Sequence, residues 1–92
     1  MIALVVKPKL IGSRRFEKVF DELSHLKPVV LSGNDATSLK AEISELRNFN
    51  SDLTVVACGG DGTFHLALNS IPDLAVPLAV IPLGTGNDFA RY

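Results

Sequence analysis

Three glycines and one aspartate follow an apolar segment near the middle of the chain, and they are residue types suited to binding a phosphate. The segment is Gly59, Gly60, Asp61, Gly62 and Thr63. Residues 53–58 before it predict a buried strand, and residues 64–71 after it predict a helix. Glycine lets backbone N–H groups approach an anion closely, and a helix N-terminus adds partial positive charge. This strand, turn and helix therefore predict a phosphate site.

The same plan recurs downstream, where residues 78–81 form a short apolar segment followed by a proline. The turn after it contains Gly84, Thr85, Gly86, Asn87 and Asp88. The Thr85 hydroxyl can bind a phosphate or a ribose, whereas Asn87 or Asp88 can instead cap the helix predicted to begin at Asp88. Two such turns indicate a phosphorylated ligand.

The aspartate in the first turn needs a separate explanation, because a carboxylate would repel a phosphate. Asp61 is compatible with the site if it binds Mg²⁺, accepts N–H bonds from the turn, or receives a proton from a substrate hydroxyl. Asp61 or Thr63 can also simply cap the helix. The glycine spacing matches neither the dinucleotide fingerprint nor the Walker loop. No residue is assigned as a direct metal ligand.

Four basic residues surround the loop after the first predicted strand: Lys7, Lys9, Arg14 and Arg15. They form either a solvated basic loop or a group in which one or two face the ligand phosphates. His65 is a weak candidate for a place near the ligand, and Cys58 is expected to pack as a small apolar residue.

The length, net charge and cysteine count of the chain exclude several classes of protein. The chain has 92 residues, a formal net charge of −1 and one cysteine. This charge gives no case for nucleic acid binding, and one cysteine excludes an internal disulfide. No segment approaches the ~20 apolar residues of a transmembrane helix, so a soluble, cytoplasmic chain is expected. Peripheral membrane contact is left open.

The hydrophobic pattern predicts the order β-α-β-α-β-α-β in one domain. Strands are expected at residues 2–6, 29–31, 53–58 and 78–81. The first helix is expected to begin after Ser13 and to end at Lys27-Pro28, and the second to be capped by Asp35 or Thr37. Such alternation predicts a three-layer α/β/α, Rossmann-like fold with a mostly parallel sheet. All four loops that follow strands should then lie at one edge.

Together, GGDGT at residues 59–63 and PLGTGNDFAR at residues 82–91 resemble the catalytic domain of diacylglycerol kinases. Sphingosine kinases and NAD kinases belong to the same superfamily. The resemblance implies transfer of the γ-phosphate of ATP, with Mg²⁺, to a lipid hydroxyl, diacylglycerol in particular. It assigns nucleotide binding to the residues of both turns and makes Asp61 essential to activity. Peripheral membrane contact is implied for the complete enzyme.

The resemblance covers the N-terminal, nucleotide-binding part of the family domain, and the β-rich second domain is expected to be absent from residues 1–92. The chain also departs from the family pattern, because Lys7 stands where the family usually has asparagine. Two alternatives are kept. One is a kinase of the same superfamily with a soluble acceptor such as NAD. The other is a non-catalytic module that binds nucleotide or forms a homodimer through an open strand edge.

Overall fold

The computed structural model describes residues 1–73 and 75–83. Strands and helices alternate through this part of the chain. They are β1 (Ile2–Val6), α1 (Arg14–Leu23), β2 (Val29–Ser32), α2 (Ala36–Phe49), β3 (Thr54–Gly59), α3 (Asp61–Ser70) and β4 (Leu78–Pro82). Short 3-10 helices, Pro8–Leu10 and Ser24–Leu26, precede and follow α1. The predicted order of elements is confirmed.

The four strands form one parallel sheet in the order β2-β1-β3-β4. The pairing aligns their carboxyl ends, since Val6 lies beside both Ser32 and Cys58, and Gly59 lies beside Pro82. The loops after the strands therefore start from one edge of the sheet, as predicted. We call it the carboxyl edge.

The core has two layers because successive residues of the central strands face opposite sides of the sheet. Ala3 and Val5 pack with buried residues of α2 and α3 on one side. Leu4 and Val6 pack with Phe16 of α1 on the other. All four of these β1 side chains are fully buried. The uninterrupted apolar sequence of β1 follows from this burial on both faces, and the predicted three-layer architecture is confirmed.

Two helices begin with the caps that the sequence predicts. The Ser13 hydroxyl accepts a hydrogen bond from Phe16 N at 3.3 Å at the start of α1. At the start of α2, the Asp35 carboxylate accepts bonds from Thr37 N at 3.0 Å and from the Ser38 hydroxyl at 2.9 Å. The Ser38 hydroxyl and the Thr37 N–H hold the pKa of Asp35 below its ordinary value. Each helix thus satisfies part of its own N-terminus.

The third helix begins earlier than predicted. It was expected over residues 64–71, but α3 starts at Asp61, and its first backbone bond runs from Phe64 N to Gly60 O at 3.0 Å. Glycine has low helix propensity, which is why the sequence pattern favours a loop at Gly62. The first helical turn tolerates it, and an acidic residue there is favoured by the helix dipole. Most of the predicted turn is therefore helical.

None of the helices within residues 1–73 and 75–83 combines the length and the hydropathy required to cross a bilayer.

Candidate functional site

The candidate site lies where the direction of the sheet topology reverses. The connection from β1 leads to β2 on one side, while β3 lies on the other side of β1 and leads outward to β4. Sheets of this kind bind ligands in the crevice between the two strands at such a reversal, outside their carboxyl ends. In this chain that crevice lies between Lys7, which follows β1, and the turn at Gly59 and Gly60, which ends β3.

The N-terminus of α3 follows directly after the carboxyl end of β3 and has no side-chain cap. Its N-cap residue is Gly60, which has no side chain to accept an N–H bond. The N–H groups of Asp61, Gly62 and Thr63 precede the first helical bond, which Phe64 N donates. A methyl carbon added at Gly60 would meet no atom within 4 Å. The helix start is therefore open to an acceptor from outside the helix, and an anion suits it.

Gly59 shapes the turn through its backbone conformation. Its φ is 153°, in a range that side chains disfavour. A methyl carbon added there would overlap the Thr63 hydroxyl oxygen and lie 2.9 Å from Thr63 Cβ. The Thr63 side chain is 2% exposed, so it packs inside the turn. Among the predicted binding residues, Gly59 and Thr63 are therefore packed against each other.

Asp61 is the exposed carboxylate of the turn and the first residue of α3. Within the described residues, its carboxylate takes part in neither of the salt bridges nor in any of the side-chain hydrogen bonds. Three explanations were given for this aspartate. The second, a carboxylate that accepts N–H bonds from the turn, is not observed among the described residues. The carboxylate is left available to a cation or to a substrate proton.

The donor set limits how a metal could be held. No three His, Cys, Asp or Glu side chains come together as a metal-binding group in the part of the chain that the structure describes. Mg²⁺ suits such a site, because proteins usually hold it with one or two carboxylates and leave its other positions to substrate phosphates and water. Asp61 can supply one such carboxylate.

The four basic residues separate into different surroundings. Lys9, Arg14 and Arg15 are all exposed, and the Arg15 guanidinium donates to the Leu83 carbonyl oxygen at 3.0 Å. Lys7 is half-buried and reaches the first turn of α3, where its Nζ would lie 2.7 Å from a methyl carbon added at Gly62. The sequence analysis treated these four residues as one group. The position of Lys7 directly after β1 is the signal that could have marked it as the basic residue nearest the site.

Leu83 connects the site to the second glycine turn. Its N–H donates to Gly59 O at 3.3 Å, and its carbonyl accepts from Arg15. These two hydrogen bonds hold Leu83 beside the turn at Gly59 and Gly60. The predicted site residues Gly84, Thr85, Gly86, Asn87 and Asp88, and the helix predicted from Asp88, lie outside the described residues.

Cys58 is the next-to-last residue of β3 and is fully buried. Burial raises the pKa of its thiol to about 11, so the thiolate that reacts with electrophiles is scarce at neutral pH. We expect no reaction with a thiol reagent such as Ellman's reagent in the native protein at pH 7.5, and full reaction after denaturation in urea. Rapid labelling of this cysteine under native conditions would contradict its packing in the core.

His65 is exposed on α3, and its ring stacks edge-to-face on Phe64 with 5.7 Å between centroids. Its proximity to a ligand stays a prediction.

Comparison with known proteins identifies a family and several proteins that this chain resembles in sequence. Residues 9–92 match the diacylglycerol kinase catalytic domain family. Human diacylglycerol kinase zeta is 32% identical over 94 residues, which cover 98% of this chain and 10% of that protein. Human diacylglycerol kinase iota is 41% identical over 61 residues, covering 62% of this chain and 5% of that protein. The eye-specific diacylglycerol kinase of Drosophila melanogaster is 48% identical over 46 residues, covering 44% of this chain and 3% of that protein. The chain thus spans a small part of each of these relatives.

Proposed function

Because the chain belongs to the diacylglycerol kinase catalytic domain family, we propose that it forms the nucleotide-binding half of an ATP-dependent lipid kinase. The reaction moves the γ-phosphate of ATP to a lipid hydroxyl. The observation that carries the proposal is the open N-terminus of α3, with Asp61 exposed on it, at the reversal point between β1 and β3. Phosphate binding at such a helix start needs only backbone N–H groups and the helix dipole.

The chain's own residues have separate tasks in this proposal. The N–H groups of the first turn of α3 bind and orient phosphate oxygens, and the Asp61 carboxylate is the group of this turn that would hold Mg²⁺. When bound, Mg²⁺ neutralises charge on the phosphates. The second side of the phosphate site comes from the other predicted residues, Gly84, Thr85, Gly86, Asn87 and Asp88. Catalysis then rests on positioning and charge neutralisation.

Diacylglycerol is the proposed acceptor, since the relatives are named diacylglycerol kinases. A cytoplasmic protein that meets the membrane surface would find this lipid there. In the family's plan a second, β-rich domain closes the cleft and shapes the lipid pocket, and we propose the same arrangement for the complete enzyme. The exposed Asp61 fits such a cleft, because the described residues leave its carboxylate uncovered.

A transfer assay tests this function. The complete protein is incubated with γ-labelled ATP, Mg²⁺ and mixed micelles that contain diacylglycerol, and the lipid product is separated and counted. We expect label in phosphatidic acid, dependent on both Mg²⁺ and the lipid. Parallel reactions with sphingosine or NAD in place of diacylglycerol test whether another acceptor is phosphorylated. Transfer to NAD alone would identify the soluble-acceptor kinase, and ATP binding without any transfer would identify a non-catalytic module.

A further inference from the structure

The side chain of Lys7, which directly follows β1, ends beside Gly62 in the first turn of α3. A methyl carbon on Gly62 would lie 2.7 Å from Lys7 Nζ and 3.5 Å from Lys7 Cε. Residue 62 therefore leaves room for the ammonium group because it carries no side chain. Of the described glycines in this turn, Gly62 is the one that Lys7 approaches, while Gly59 meets Thr63 and Gly60 meets no atom within 4 Å.

The backbone of Lys7 is held in place, so the point from which its side chain starts is set. Lys7 has an extended conformation with φ −70° and ψ 144°, and it precedes Pro8, which favours that conformation. Its carbonyl oxygen accepts a bond from Leu10 N at 2.9 Å. Val6 before it is fully buried in β1. The lysine thus starts from the rigid end of a central strand.

Without a bound anion, the position of the Lys7 ammonium group near the start of α3 is electrostatically unfavourable. A helix N-terminus carries partial positive charge and repels a cation. Within residues 1–73 and 75–83, the salt bridges join Met1 to Asp52 and Arg47 to Asp73, and neither includes Lys7. An anion bound near both the ammonium and the uncapped N–H groups of α3 would interact favourably with each of them.

We propose that Lys7 contacts the phosphates of the nucleotide and so completes the anion site that the α3 N-terminus begins. This inference rests on the proposed function and adds a positioning residue to it. Lysine binds phosphate as a compact point charge, and a flexible side chain can follow the group during transfer. Arg15 is engaged by Leu83 and Lys9 is exposed, so Lys7 is the basic residue of this loop that reaches the helix start.

The test compares Lys7→Met with Lys9→Met in the complete protein, and calorimetry measures ATP and adenosine binding. Both variants lose one positive charge from the same loop. We expect Lys7→Met to weaken ATP binding about 10- to 100-fold, the usual effect of losing a charge-assisted hydrogen bond. Lys9→Met should leave ATP affinity nearly unchanged. Adenosine carries no phosphate, so its binding should be equal in both. Lys7→Arg should recover part of the loss.

Two further measurements separate this role from a structural one. The ATP affinity of Lys7→Met should depend less on salt than that of the wild type, because one phosphate contact is missing. Gly62→Ala displaces the end of a flexible side chain, so it should weaken ATP binding while the unfolding midpoint stays nearly constant. Its effect and that of Lys7→Met should be less than additive in the double variant.

The outcomes are distinguishable. If the wild type binds ATP and Lys7→Met binds it as tightly as Lys9→Met does, the Lys7 inference is wrong while the proposed function stands. If the wild type binds no ATP, the proposed function is wrong and the inference falls with it.

Discussion

Replacing Gly59 by alanine is expected to lower the free energy of unfolding by about 2 to 4 kcal/mol, the largest effect of any single methyl group added at the site. Two causes act together. The φ of 153° strains any side chain, and the new carbon overlaps the hydroxyl oxygen of Thr63. Thr63 is buried, so it has little room to move aside. Urea unfolding followed by circular dichroism measures the change.

Gly60→Ala is the matched control, because it adds the same carbon one residue later, where nothing lies within 4 Å. Its unfolding midpoint should stay close to that of the wild type. Adding Thr63→Ala to Gly59→Ala removes the overlapping oxygen and a methyl group but keeps Thr63 Cβ at 2.9 Å, so partial recovery is expected. Equal stability of Gly59→Ala and Gly60→Ala would contradict the packing described for the turn.

Asp61→Asn is expected to lower the rate of phosphate transfer by about 100- to 1,000-fold, the range seen when one preorganised charge is removed from a catalytic site. The change conserves shape and replaces a carboxylate by a neutral amide, which is a poor ligand for Mg²⁺. Asp61 is exposed, so folding should be little affected. The lipid kinase assay gives the rate, and thermal unfolding confirms that the variant is folded.

Asp35→Asn controls for the loss of a carboxylate at a helix start on the same edge of the sheet. Asp35 caps α2 through its own side chain, and asparagine can do the same. This variant should keep nearly full transfer activity. Normal activity in Asp61→Asn, with Asp35→Asn as reference, would remove Asp61 from the proposed reaction.

The three layers and the order of strands and helices along the chain could be predicted because they follow from local sequence pattern. The apolar segment of β1 and the caps at Ser13 and Asp35 are each legible within a few residues of sequence. The start of α3 could not be predicted in this way, because glycine at residue 62 disfavours a helix locally and is tolerated only in its first turn.

The sequence shows the residue types of the candidate site but not the contacts that those residues make. The glycines and Asp61 predict a phosphate-binding turn from residue type alone, and that role stays a prediction. The approach of Lys7 to Gly62 and the bond from Arg15 to Leu83 depend on how β1, β3 and β4 pair, which no local pattern specifies. The sequence alone therefore could not separate Lys7 and Arg15, which make these contacts, from the other basic residues of the loop.

The central position of β1 means that one of its pairings joins residues far apart in the sequence. Its pairing with β3 joins Ile2 to Thr54, so the middle of the sheet closes only after both intervening helices and β2 have been made. Such long-range parallel pairing slows folding, because the chain loses loop entropy before it gains these contacts. During synthesis β1 can pair with β2 before β3 is made, so we expect its other edge to stay unpaired for longer and to be the part of the nascent sheet that is open to aggregation.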